Sequence, residues 1–233
     1  MRNLVRASVL LLALVLSEPV LAGPLEDANA AYGKEDYATA LRLFRPLADQ
    51  GDASAQFMLG VMYADGQGVP KDYAQAVKWY RLAADRGYAR AQFNLGFMYD
   101  VGRGVPEDYV QAAKWYRLAA AQGNARAQFM LGVMYDNGQG VPKDYAQAVK
   151  WYRLAADRGY ARAQFNLGLM YASGQGVPKD YALAYMWCNL AAAGASDADA
   201  RERAVKARDE LASMMTPAQV AEAQRMSREW QPK

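Results

Sequence analysis

The sequence predicts an all-α solenoid of helix-turn-helix repeats with a 36-residue period, closed by capping helices at both ends. Three observations predict it. The dipeptide Leu-Gly recurs at Leu59-Gly60, Leu95-Gly96, Leu131-Gly132 and Leu167-Gly168, at a spacing of 36 each time. The units Gly51 to Arg86, Gly87 to Gln122, Gly123 to Arg158 and Gly159 to Gly194 align around those dipeptides without a gap. The chain is 53% hydrophobic and only 22% charged, which calls for a buried core rather than disorder.

The first 22 residues read as an export signal. Arg2 and Arg6 precede the apolar stretch Ala7 to Leu16, and Val20-Leu21-Ala22 supplies small or apolar residues before Gly23, so cleavage is expected after Ala22. The stretch is well short of the roughly 20 apolar residues that span a bilayer. The mature chain is therefore expected in the periplasm or the medium, with no membrane span. Residues 23–50 form a degenerate opening unit: Asp36-Tyr37 and Ala40 lie one period before Asp72-Tyr73 and Ala76.

Each full unit carries two helices. In the first, helix A, Ala55, Leu59 and Tyr63 fall at i, i+4 and i+8 on one face, and Gly60 lets a neighbouring helix approach. Gly66 and Gly68 break it, and Val69-Pro70 cannot extend it, because proline disfavours the α conformation in the residue before it. Helix B then starts at the N-cap Asp72, with Gln75 placed to complete a capping box, and buries Tyr73, Ala76, Tyr80 and Ala83 with Trp79 beside them. The loop is no phosphate cradle: it lacks the preceding strand and the Gly-Lys-Ser/Thr signature, and it occurs four times. After Gly194 the period dissolves, and residues 195–233 are expected to form two closing helices. One begins at Ser196 with Asp199; the other begins at Thr216-Pro217 with Gln219 and carries an apolar stripe of Val220, Ala223, Met226 and Trp230.

The residues that are missing constrain the chemistry. The chain has no histidine, which removes Ser/His and Cys/His nucleophiles, His-bound zinc and the usual general base near neutral pH. Its single cysteine, Cys188, occupies the position of Tyr80, Tyr116 and Tyr152 and reads as a core filler. The repeated Asp72, Asp108, Asp144 and Asp180 read as helix caps rather than a catalytic acid pair, and Trp79, Trp115, Trp151 and Trp187 as packing between repeats. No cofactor, metal or catalytic residue is expected. A net charge of +3 with basic residues spread along the chain does not make a nucleic-acid footprint.

A candidate binding lane comes from comparing units. Val61 to Gly96 and Val133 to Gly168 differ at two positions only, the mark of a duplicated two-repeat block, so neighbouring units are the informative pair. Their helix A differences include Ser54/Arg90, Met58/Asn94, Val61/Phe97 and Asp65/Val101, spaced 4, 3 and 4 residues apart along one helix face. At about 100° per residue, that face lies roughly 120° from the Ala55, Leu59, Tyr63 stripe. The lane carries Arg90, Arg126 and Arg162, then Asn94, Met130 and Asn166, then Phe97, Val133 and Leu169.

The Ala-Gln, Leu-Gly, Tyr, Gly-x-Gly-Val, Asp and Trp-Tyr positions of Gly51 to Gly194 closely resemble the Sel-one-like repeat family, relatives of the tetratricopeptide repeats. The resemblance implies a right-handed superhelix with the A helices on the concave side, and a role in scaffolding or recognising proteins. Bacterial members are often periplasmic or secreted, with roles in envelope regulation, polysaccharide export or host contact. One branch has two cysteines per repeat and has been described as binding or hydrolysing β-lactams; this chain departs from that pattern. The expected function is therefore an exported protein-interaction scaffold. Its partner is expected to be a protein or peptide, an extended or helical segment with acidic groups lying along the lane, where arginine holds carboxylates by two hydrogen bonds. The alternatives are an envelope hydrolase acting on a β-lactam or cell-wall fragment, and a polysaccharide-binding module with aromatic side chains exposed in the groove.

Overall fold

The computed structural model describes residues 23–233, so the expected export signal lies outside the described residues. They form twelve α-helices and no strand: α1 Pro24–Gly33, α2 Tyr37–Asp49, α3 Ala53–Asp65, α4 Tyr73–Asp85, α5 Ala89–Asp100, α6 Tyr109–Ala121, α7 Ala125–Asn137, α8 Tyr145–Asp157, α9 Ala161–Ser173, α10 Tyr181–Gly194, α11 Ala198–Ser213 and α12 Pro217–Glu229. From α1 to α11 each helix packs on its sequence neighbours, and α12 folds back onto α10. This is the α-solenoid of helix-turn-helix units that the period predicts.

Within a unit the two helices are drawn close by the Leu-Gly glycine. A Cβ on Gly96 would lie 2.8 Å from the Tyr116 ring of α6, and one on Gly168 would lie 2.8 Å from Cys188 Sγ in α10. A larger residue must push the facing side chain aside. Cys188 is fully buried at the tyrosine position, and burial pushes its thiol up to about 12.

The caps differ in two respects from the expectation. Asp72, Asp108, Asp144 and Asp180 each accept a hydrogen bond at 3.0 Å from the backbone N–H three residues on, so all four are N-caps. Gln75, however, does not complete a capping box. The backbone N–H of Asp72 is already donated to the Tyr63 carbonyl at 2.9 Å, and Asp108, Asp144 and Asp180 repeat that bond to Tyr99, Tyr135 and Tyr171. The N-cap thus ties the start of helix B to helix A. At the closing end, α11 is capped by Asp197, which accepts from Ala200, rather than by Ser196. The box at Thr216 and Gln219 of α12 is complete.

Two further links recur between units. Gln56, Gln92, Gln128 and Gln164 are buried on the A helices and donate Nε2 at 3.0, 3.1, 3.2 and 3.2 Å to the carbonyls of Ala48, Ala84, Ala120 and Ala156 in the preceding B helix. Each is the second bond to a carbonyl of the helix C-terminus that also accepts the N–H of Gly51, Gly87, Gly123 or Gly159. Arg45, Arg81, Arg117 and Arg153 donate to the hydroxyls of Tyr63, Tyr99, Tyr135 and Tyr171 on the next A helix. Because Ala48 and Arg45 belong to α2, the opening hairpin is joined to the stack by the same bonds as the full units.

The tryptophans face the preceding unit. Trp79 packs against the cluster around Phe44 and Leu59, Trp115 joins that around Phe57 and Leu95, and Trp151 borders that around Tyr116 and Leu131. Trp187 meets Trp230, just past the end of α12, edge to face at 6.2 Å between centroids. In this way the C-terminal segment covers the last aromatic face.

Candidate binding groove

The A helices present a concavity of about 890 Å³ toward the C-terminal half of the stack. Phe93, Phe97, Phe129, Met130 and Phe165 line it with Arg126 and Arg162, and the turn from α10 into α11 closes one end with Ser196 and Asp197. Arg203 of α11 adds a third cation. Arg126, Arg162 and Arg203 are exposed and take part in no ion pair among the described residues. Asp197, which accepts the α11 cap bond, is the one carboxylate of the lining against three arginines, so the groove carries an excess of positive charge.

Of the nine lane residues, five meet in this groove: Phe97, Arg126, Met130, Arg162 and Asn166. The other four are placed differently. The Arg90 guanidinium lies 4.7 Å over the Phe57 ring. Asn94 is half-buried next to Tyr80, as Asn166 is next to Tyr152, and a hydrogen bond to each asparagine lowers the pKa of a tyrosine hydroxyl that burial raises more strongly. Val133 packs against the core cluster that its own unit shares with the following one, whereas Leu169 remains 42% exposed outside the groove. The lane is therefore part groove wall and part packing surface.

Sequence comparison missed the groove's floor. Phe93, Phe129 and Phe165 recur at one position in every unit, so a search for variable positions passes over them. Their surroundings vary instead. Phe57 is only 4% exposed, with Tyr88 at 5.3 Å between centroids in addition to Arg90. Phe129 has Tyr160 at 5.3 Å. Phe93 and Phe165 have no such tyrosine, because Asn124 and Ser196 stand at the positions of Tyr88 and Tyr160. The missed signal was the residue before each A helix, which alternates between tyrosine and a small polar residue.

The Sel1 repeat family model matches residues 29–52, 53–88, 89–124, 125–160 and 161–196. Among solved structures, the chain is similar to a Sel1 repeat protein from Oxalobacter formigenes, with 33% identity and a TM-score of 0.72 over 83% of this chain and 86% of that one. It is also similar to a protective antigen of uropathogenic Escherichia coli strains displaying an SLR fold, with 32% identity and a TM-score of 0.72 over 88% of this chain and 53% of that one. No curated protein matches it. Among the described residues no helix is long and apolar enough to cross a membrane. Five consecutive repeat matches covering residues 29–196, joined to the shared helix pattern, make this chain a member of the Sel1 repeat family.

Proposed function

We propose that this protein is an exported interaction scaffold that holds an acidic, extended or helical segment of a partner protein in the groove formed by its A helices. The observation that carries the reading is the groove's lining, a phenylalanine floor edged by Arg126, Arg162 and Arg203 with no ion-pair partners among the described residues. An apolar surface with a few fixed polar groups is what a binding cleft requires. Export rests on the pattern of the first 22 residues. The absence of histidine and of paired cysteines argues against hydrolysis.

The test uses the mature protein and its Arg126→Glu/Arg162→Glu variant, both shown to be folded by circular dichroism and offered the same cross-linked envelope extract. A partner retained by the wild type, released by salt and lost with the variant is the expected result. Identical partners on both proteins would remove the groove from the reading. The phenylalanine floor also favours a second reading, binding of polysaccharide, which the same resin separates: retained polysaccharide that is insensitive to both salt and charge reversal supports that reading instead. The export part is checked by the intact mass of the protein recovered outside the cytoplasm, expected to begin at Gly23.

A further inference from the structure

The four phenylalanines at the floor position share one backbone setting, yet their rings differ in cover. Phe57 lies under both Tyr88 and Arg90, and Phe129 keeps Tyr160 alone. Phe93 and Phe165 have neither a tyrosine lid nor a cation over the ring, and both line the groove. The wall beside Phe165 is built from small side chains, Ala191, Ala195, Ala200 and Ala204. The cover thus follows a two-unit rhythm that matches the duplicated block.

We infer that the groove holds two apolar anchor side chains of one acidic peptide segment, one on Phe93 and one on Phe165, with the covered Phe129–Tyr160 pair as the saddle between them. This deepens the groove reading and rests on it. Charge complementarity identifies the segment as acidic: Arg126 and Arg162 belong to the helices that carry Phe129 and Phe165, Arg203 adds a third cation, and the groove's one carboxylate is engaged in capping α11. Buried anchors in pockets with a polar rim carry most of the energy of such contacts. The lid rule then assigns Asn124 and Ser196 as specificity-determining positions, since a tyrosine at either one closes the subsite behind it.

The test is the substitution Asn124→Tyr in the mature protein. It copies the arrangement at Tyr88 and Tyr160, where α5 and α9 start on a tyrosine without a side-chain cap, so the helix still forms. The probe is a panel of fluorescein-labelled glutamate-rich peptides carrying two phenylalanines at graded separations, read by fluorescence anisotropy. The expected result is that one separation binds the wild type best. That peptide should weaken about tenfold on Asn124→Tyr, and about tenfold when either of its phenylalanines is replaced by alanine. The Asn124→Tyr protein should bind one of the two single-phenylalanine peptides, the one whose remaining ring seats on Phe165, as the wild type does. Equal binding of the two-phenylalanine peptide by both proteins overturns the two-anchor inference, while its loss with Arg126→Glu/Arg162→Glu would leave the groove reading standing. A panel that fails to bind the wild type at all, or lysine-rich controls that bind as well, overturns both.

Discussion

At the scale of single residues, the buried glutamines do the work that a covalent joint would do elsewhere. Gln92 is bonded at both ends: Nε2 reaches the Ala84 carbonyl at 3.1 Å, and Oε1 accepts from Gln122 Nε2 at 2.8 Å. Gln128 reaches Ala120, but its Oε1 is buried without a partner, because Arg158 stands where Gln122 would be. Leucine at Gln92 removes two hydrogen bonds but strands neither partner, since the Ala84 carbonyl still accepts from the Gly87 N–H and Gln122 Nε2 still donates to the Gly87 carbonyl; leucine at Gln128 removes one bond, to a carbonyl that keeps the Gly123 N–H, together with an unsatisfied oxygen. At about 1 kcal/mol net per bond, Gln92→Leu is expected to cost about 2 kcal/mol and Gln128→Leu about 1 kcal/mol or less, measured as urea midpoints with an unchanged slope. Equal costs would show that the second bond adds nothing. Titration works at the same scale. Burial pushes the Cys188 thiol up to about 12 and raises the hydroxyls of Tyr80, Tyr116 and Tyr152 above their ordinary 10.0. The unfolded chain gives up these protons first, so their contribution is complete at neutral pH and is lost as pH rises from the ordinary thiol value of 9.0 upward. The urea midpoint should fall steadily between pH 9 and pH 12; a flat profile would contradict this assignment.

At the scale of the element, each hairpin is set by one close approach and one inter-unit wedge. Gly96→Ala forces a methyl group against the Tyr116 ring and is expected to cost about 1–3 kcal/mol by overpacking. Trp115, 6% exposed against the preceding unit, is expected to cost about 3–5 kcal/mol on truncation to alanine. An unchanged melting curve for Trp115→Ala would show that the wedge is dispensable. These features were legible in the sequence, because Leu-Gly, Asp-Tyr and Trp-Tyr repeat in register and each has one physical reading. Less legible were bonds that involve backbone groups: the Asp72 N–H goes to Tyr63 and not to Gln75, a choice made by how the hairpin closes. The groove was half legible. Variation pointed to Arg126, Arg162 and Phe97, but the phenylalanine floor is repeated, and its exposure depends on a lid that belongs to the next unit.

At the scale of the whole molecule, each helix meets chiefly its sequence neighbours, so stability is a sum of units and interfaces, and the ends must be sealed. The last face is sealed by α11, which buries Ala204 and Leu211, and by α12, which delivers Trp230 to Trp187. A chain stopped after Gly194 is expected to aggregate, with Trp187 fluorescence shifted to longer wavelength; a monomer of unchanged melting temperature would show the cap to be unnecessary. The same segment supplies one end of the groove, so sealing the fold and shaping the binding surface are done by one piece of chain. The groove has a rival on the B helices, where Leu82, Val110 and Leu118 are exposed. Site-specific photo-crosslinking in the native envelope decides between these faces most directly, with the reactive side chain placed at Phe97 or Asn166 in the groove or at Val110 outside it. The groove positions are expected to capture one common partner that Val110 does not. Capture from Val110 with none from Phe97 or Asn166 would contradict binding in the groove.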